Sequence, residues 1–193
     1  VLAAGVDVVI PDFHAVTEVD GDLRVLHQQL MRALRHVHDE QPTRAIHLAG
    51  HSSGAHLAAC LAVEPTLADA IASLTLCSGL YELEPVSHSA RSQYVRFSEQ
   101  TLADLSPIRH LAHLQAPVTV LCGSKESPEF IRQAQALHHA LQQRGHDVRW
   151  VMGDGMNHFE ILATLENESG LLAQSLQAHW PTHGTPQPTE TNP

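Results

Sequence analysis

The chain has 193 residues, 43% of them hydrophobic and 17% charged, which is the size and balance of one globular domain with a sizeable core. Eleven basic against twenty-one acidic residues leave a formal charge of -10, which argues against nucleic acid or an anionic membrane as partner and for a small-molecule substrate or none. No run of eighteen apolar residues offers a membrane-spanning helix.

In chain order, the β-branched run from Gly5 to Ile10, ended by Pro11, predicts a buried strand in which Val6 to Ile10 sit in a sheet. From Leu23 to Val37, apolar residues at three- and four-residue intervals (Leu23, Leu26, Leu30, Leu34, Val37) predict an amphipathic helix, with Asp20 or Asp22 as its N-cap. Ala45 to Ala49 reads as a short buried strand and Ala55 to Val63 as a small-residue helix, with Gly50-His51-Ser52-Ser53-Gly54 between them. Ile71 to Cys77 makes the next strand. The stretch from Gly79 to Ala116 breaks the alternation, holds Tyr81, Tyr94 and Phe97, and reads either as a lid or pocket wall or as a packing insertion.

Pro117 to Cys122 follows as a strand and Ser127 to Arg144 as a strong helix with Phe130, Ala134, Leu137 and Leu141 on one face, ended by Gly145. Val148 to Met152 is a shorter strand, after which the loop from Gly153 to Asn157 delivers His158. A final amphipathic helix runs on from Phe159 through Leu162, Leu165, Leu172 and Leu176, with an interruption near Gly170. Strand-helix alternation predicts an α/β fold with a mostly parallel sheet covered on both faces and function at the carboxyl ends of the strands. Residues 1–180 form the domain, and the Pro- and Thr-rich residues 181–193 read as a disordered tail.

Cys60, Cys77 and Cys122 lie far apart, without a Cys-x-x-Cys, and read as small buried hydrophobes in a reducing, cytoplasmic setting. Sixteen histidines are many for this length. His36-x-His38 and His138-His139 nonetheless fall on predicted helices without a further ligand at metal spacing, so they read as solvated helix faces rather than a metal site.

Gly-x-Ser-x-Gly between a strand and a helix is the pattern of a sharp turn that exposes a serine hydroxyl, with Gly50 and Gly54 relieving the crowding around Ser52. The backbone N–H of Ser53, free at the helix start, is placed to donate to an oxyanion. A serine alcohol is a weak nucleophile and needs a base with an acid to orient it. His158, after the last strand, is the candidate base, and Glu126, after the strand before it, the candidate acid. Asp154 is the rival acid, although only four residues of chain separate it from His158.

Four motifs then converge. Gly50-His51-Ser52-Ser53-Gly54-Ala55-His56-Leu57-Ala58, Ser78-Gly79-Leu80-Tyr81-Glu82-Leu83-Glu84-Pro85, the segment from Glu126 to Gln133, and Asn157-His158-Phe159-Glu160-Ile161 together resemble kynurenine formamidase (arylformamidase) and its bacterial esterase relatives. The resemblance implies an α/β-hydrolase fold and cleavage of N-formylkynurenine to kynurenine and formate by a serine mechanism without metal or other cofactor. It implies Ser52 as nucleophile, His158 as base and Glu126 where many relatives carry Asp. His51 and Tyr81 are the expected pocket residues, and a homodimer is compatible with this reading.

Two departures matter. The acid is one methylene longer than the family's aspartate, and no His-Gly-Gly stretch, which in the family completes the oxyanion hole, occurs upstream. Val1 to Pro11 resembles the family's fourth strand, so the sequence reads as N-terminally truncated. On that reading a gap separates the Val6 strand from the Ala45 strand. A broad carboxylesterase of the same fold and a non-catalytic truncated hydrolase-like protein stand as the alternatives.

Overall fold

The computed structural model describes residues 6–180. The segment expected to be a disordered tail, 181–193, lies outside them. Four parallel strands form one sheet in the order β1 (Ile46–His51), β2 (Ile71–Cys77), β3 (Val118–Gly123) and β4 (Val148–Gly153). Each pair is joined by a crossover through helix or excursion, the connection that parallel pairing requires.

Alternation along the inner strands sorts the core into two layers. Leu74 and Leu76 on β2, with Val118, Val120 and Cys122 on β3, face α1 (Leu23–Glu40), α2 (Ser53–Ala62) and α5 (Pro128–Gln143). Cys77 and Leu121 face the other way, against Ile161 of α6 (Glu160–Ala163) and Leu172 of α7 (Leu171–Gln177). Asp22 caps α1 by accepting the Arg24 N–H at 3.0 Å, and the apolar stripe turns Leu26, Leu30 and Leu34 inward. Gly145, at φ +69°, turns the chain out of α5, and on that helix Ala134, Leu137 and Leu141 are buried.

Two expectations fail. Residues 6–10 form no strand: Val8, Val9 and Ile10 are 49%, 62% and 86% exposed, and Asp7 is tied to the body through an ion pair with Arg44. A β-branched run becomes a strand when a ladder satisfies its backbone, and among the described residues no strand lies alongside it. β1 is accordingly the sheet's end strand and is only half-buried, whereas β3 is buried throughout. The final helix is interrupted near Gly170, as expected, but its apolar face is not buried as expected. It divides into α6, a 3-10 turn over Thr164–Glu166, and α7, because the chain folds back so tightly at Gly170 that a Cβ there overlaps the Thr164 carbonyl. Leu162 and Leu165, expected on the buried face, are exposed.

The excursion between β2 and β3 consists of α3 (Leu83–Ser87), α4 (Glu99–Asp104) and three 3-10 turns. One buried side chain fixes its root. Gln133 of α5 accepts the N–H groups of Tyr81 at 2.6 Å and Glu82 at 2.8 Å and donates to the Glu82 carbonyl at 3.0 Å. Further along, the Arg96 N–H donates to the Gly21 carbonyl at 2.9 Å, laying the excursion across the start of α1. Cys60, Cys77 and Cys122 are buried thiols, as expected, and none is in a disulfide.

Candidate active site

Ser52 sits at the junction of β1 and α2 with φ 56° and ψ -120°, a conformation that L-residues avoid and that a strand-to-helix elbow imposes. The turn is so tight that a Cβ on Gly50 overlaps the backbone of Gly54. Gly50 is therefore required by space. Gly54 is not: a Cβ there meets nothing within 4 Å, so the expectation that it relieves crowding is corrected. Its backbone is the surface that Gly50 must clear.

His158 reaches the serine from the loop after β4. Its Nε2 lies 2.9 Å from Ser52 Oγ, and its Nδ1 lies 2.7 Å from Oε2 of Glu126. A carboxylate can only accept, so the Nδ1–H donates to Glu126 and the Nε2 lone pair is left to accept the serine O–H. The imidazole packs against Phe130 at 4.7 Å and His51 at 4.6 Å, with Phe159 edge-on at 5.4 Å.

Glu126 has a fully buried side chain. Its Oε1 accepts the Gly123 N–H at 2.9 Å and the hydroxyl of Ser78, while Oε2 faces His158. Burial alone pushes the carboxyl up; the bonds from Ser78, Gly123 and His158 together outweigh it and hold the group below the ordinary glutamate range. The extra methylene is accommodated because the carboxylate anchors back on its own loop at Gly123. Asp154, the rival acid, is exposed and accepts from the Ser124 hydroxyl at 3.3 Å, with no contact to His158.

The Ser53 N–H, first in α2, makes no hydrogen bond among the described residues and borders the same cavity as Ser52. That cavity, about 390 Å³, is walled by α1, by residues 13–16, by α2, by the excursion and by Phe130. The excursion supplies Leu80, Leu83, Val86, Arg91, Tyr94, Val95 and Phe97, so it forms a wall of the cavity, while its Tyr81, Leu111 and Leu114 also pack in the main core.

The two expected pocket residues do not line it. Tyr81 is 0% exposed and packs in the main core, its hydroxyl pressed against Gly79. The large ring belongs to the layer beneath the elbow, where burial pushes its phenol far up. His51 lies behind the His158 ring, its Nε2–H donating to the His158 carbonyl at 2.8 Å. No three His, Cys, Asp or Glu side chains converge in metal-binding fashion among the described residues; His138 packs on Trp150 and His139 pairs with Gln143.

The chain is 30% identical over 166 residues to kynurenine formamidase of Danio rerio, and 26% identical over 171 residues to kynurenine formamidase of Salmo salar. Each alignment covers 81% of this chain and 57% of the relative, so the chain spans little more than half the length of these curated relatives. A solved structure from Silicibacter sp. tm1040, provisionally assigned as a thioesterase, superposes with a TM-score of 0.69 at 25% identity, covering 80% of this chain and 58% of the other. The chain has the α/β-hydrolase fold and is similar in sequence to kynurenine formamidases. A thermophilic esterase of Thermogutta terrifontis shares the fold at a TM-score of 0.60 and 16% identity, over 78% of this chain and 61% of the esterase. No family model matches the sequence. Among the described residues of this α/β-hydrolase, no helix is long and apolar enough to cross a membrane.

Sequence reasoning missed three supports of the site. Ser78, at φ 55° just beyond β2, holds Glu126; its signal was the Ser-Gly pair ending a strand beside the elbow. His51 braces the His158 loop from inside the Gly-x-Ser-x-Gly motif itself. Phe130, taken for a core residue of α5, also borders the cavity and packs on His158.

Proposed function

We propose that the chain carries the catalytic half of a serine hydrolase acting on an aryl formamide, N-formylkynurenine in the first instance, through Ser52, His158 and Glu126. The observation that carries the reading is the unbroken relay from Ser52 Oγ to His158 Nε2 at 2.9 Å and from His158 Nδ1 to Glu126 at 2.7 Å, opening on an apolar cavity. Its partner is a small acyl substrate.

The serine O–H passes its proton to His158 Nε2 as Oγ attacks the formyl carbon, and the carbonyl π pair moves onto oxygen. The Ser53 N–H donates to that oxyanion, and Glu126 holds the resulting imidazolium. Collapse breaks the C–N bond while Nε2–H protonates the departing aniline nitrogen. His158 then takes a proton from water, which attacks the formyl-serine ester, and collapse of the second adduct releases formate and returns the proton to Ser52.

A broader carboxylesterase is the second reading. It is favoured by the cavity's largely apolar wall, which offers an aliphatic acyl group as much contact as an aromatic leaving group. Both readings require Ser52. The test is labelling by a fluorophosphonate probe together with hydrolysis of formanilides and of aryl acetates and butyrates. Labelling and turnover that vanish in Ser52→Ala support the hydrolase, and formamide over ester preference separates the two readings. A folded wild-type chain that neither labels nor turns over any of these substrates overturns both.

A further inference from the structure

The Ser52 cavity has an asymmetry of charge. Twenty-one acidic residues occur in the chain, yet among the described residues no Asp or Glu lines the cavity, and its one Lys or Arg is Arg91. Four arginines outside the cavity meet carboxylates: Arg24 and Arg96 at Asp22, Arg44 at Asp7, and Arg132 at Glu129 and Glu82. The Arg91 guanidinium has no carboxylate or hydrogen-bond partner among the described residues. It stands over the Phe130 ring, 5.7 Å from the centroid. A half-buried guanidinium with five unused donors beside apolar walls is a receptor for a planar anion, since a carboxylate matches its fork.

The position relative to the chemistry sets the ligand's shape. Phe130 touches both groups: its ring centroid is 4.7 Å from that of His158 and 5.7 Å from the Arg91 guanidinium carbon. We propose that Arg91 is the specificity-determining residue of this cavity, binding a carboxylate carried on a short aliphatic arm of the aryl leaving group. This rests on the hydrolase reading above and narrows it. A carboxyl carbon six bonds from the scissile nitrogen, as in N-formylkynurenine, lies roughly 7 Å away when the arm is extended, given bonds of about 1.5 Å. Two successive contacts through Phe130, of 4.7 Å and 5.7 Å, leave such an arm within reach of Arg91.

Two measurements test it. The first compares kcat/KM for N-formylkynurenine with that for its neutral α-carboxamide, in wild type, Arg91→Met and Arg91→Lys. Wild type favours the carboxylate by about 10- to 100-fold, the range of a charge-assisted hydrogen-bonded contact. Arg91→Met brings the ratio close to one, chiefly through KM, and Arg91→Lys restores part of it. The second titrates Ser52→Ala with kynurenine by calorimetry, where adding Arg91→Met weakens binding by a similar factor. A wild-type ratio near one, or a ratio that Arg91→Met leaves intact, overturns the assignment while leaving the hydrolase standing. Absence of turnover of either substrate, with no fluorophosphonate labelling, removes the hydrolase reading and this assignment with it.

Discussion

His158 Nδ1 and Glu126 Oε2 stand 2.7 Å apart although 32 residues separate them in the chain, and the glutamate also spans back to the N–H of Gly123 on its own loop. Replacing Glu126 with Gln keeps the size but presents an amide that can donate to Nδ1, which reverses the tautomer and takes the Nε2 lone pair away from Ser52. The expected loss is about 10³- to 10⁴-fold in kcat. Asp154→Asn, at the exposed rival position, is expected to stay within about twofold, a span of roughly 0.4 kcal/mol. Steady-state hydrolysis of an aryl ester checks both, and an inactive Asp154→Asn beside an active Glu126→Gln would reverse the assignment.

The elbow glycines separate in the same way. A Cβ at position 50 runs into the backbone of Gly54, which cannot move without displacing the helix start, so Gly50→Ala is expected to cost about 3 kcal/mol or more. A Cβ at position 54 meets open space at the first turn of α2, where alanine is also the better helix former. Gly54→Ala should therefore melt at or above the wild-type temperature while Gly50→Ala melts well below it. Equal destabilisation of the two variants would contradict this geometry.

What the sequence made legible was local chemistry with a strict spatial requirement. The β2 boundaries, Ile71 to Cys77, follow from an apolar run closed by Ser78-Gly79, and the serine, acid and histidine follow from their places after successive strands. What stayed hidden depends on neighbours. Val6 to Ile10 has strand propensity but no ladder among the described residues, and propensity without pairing leaves a β-branched run in solvent. Tyr81 follows a strand end, as pocket residues often do, yet its side chain points beneath the elbow, a direction that composition does not encode. Ser78 gains its role only because a positive φ turns its hydroxyl toward Glu126.

His51 makes a second prediction about the base. Its Nε2–H holds the His158 carbonyl at 2.8 Å, and burial lowers its pKa below the ordinary histidine value. His51→Phe preserves a ring of similar width against the imidazole but removes the donor, so the loop keeps its packing and loses its tether. The expected result is a fall in kcat of about tenfold, the worth of one neutral hydrogen bond, with KM little changed. A rise in KM with kcat intact would instead place His51 in the substrate pocket.

His56 makes stability depend on pH. The ring is buried in α2 with Nδ1–H donating to the Leu80 carbonyl at 2.8 Å and Nε2 near the Cys60 thiol at 3.6 Å. Burial pushes its pKa down from 6.5 to about 4, against the smaller opposing effect of the Leu80 carbonyl. The unfolded chain thus binds a proton near pH 6.5 that the folded chain refuses until about pH 4. Stability from this group is complete above the unfolded value and is lost as pH falls through that window, at roughly 1.4 kcal/mol per unit and about 3 kcal/mol in all. His27, also buried with its pKa lowered, adds to the slope in the same direction. Urea melts between pH 7 and pH 4 are expected to show this loss, and His56→Gln, whose amide can still donate to Leu80, to flatten the slope by about one proton. An unchanged slope in that variant would assign the acid sensitivity to other groups.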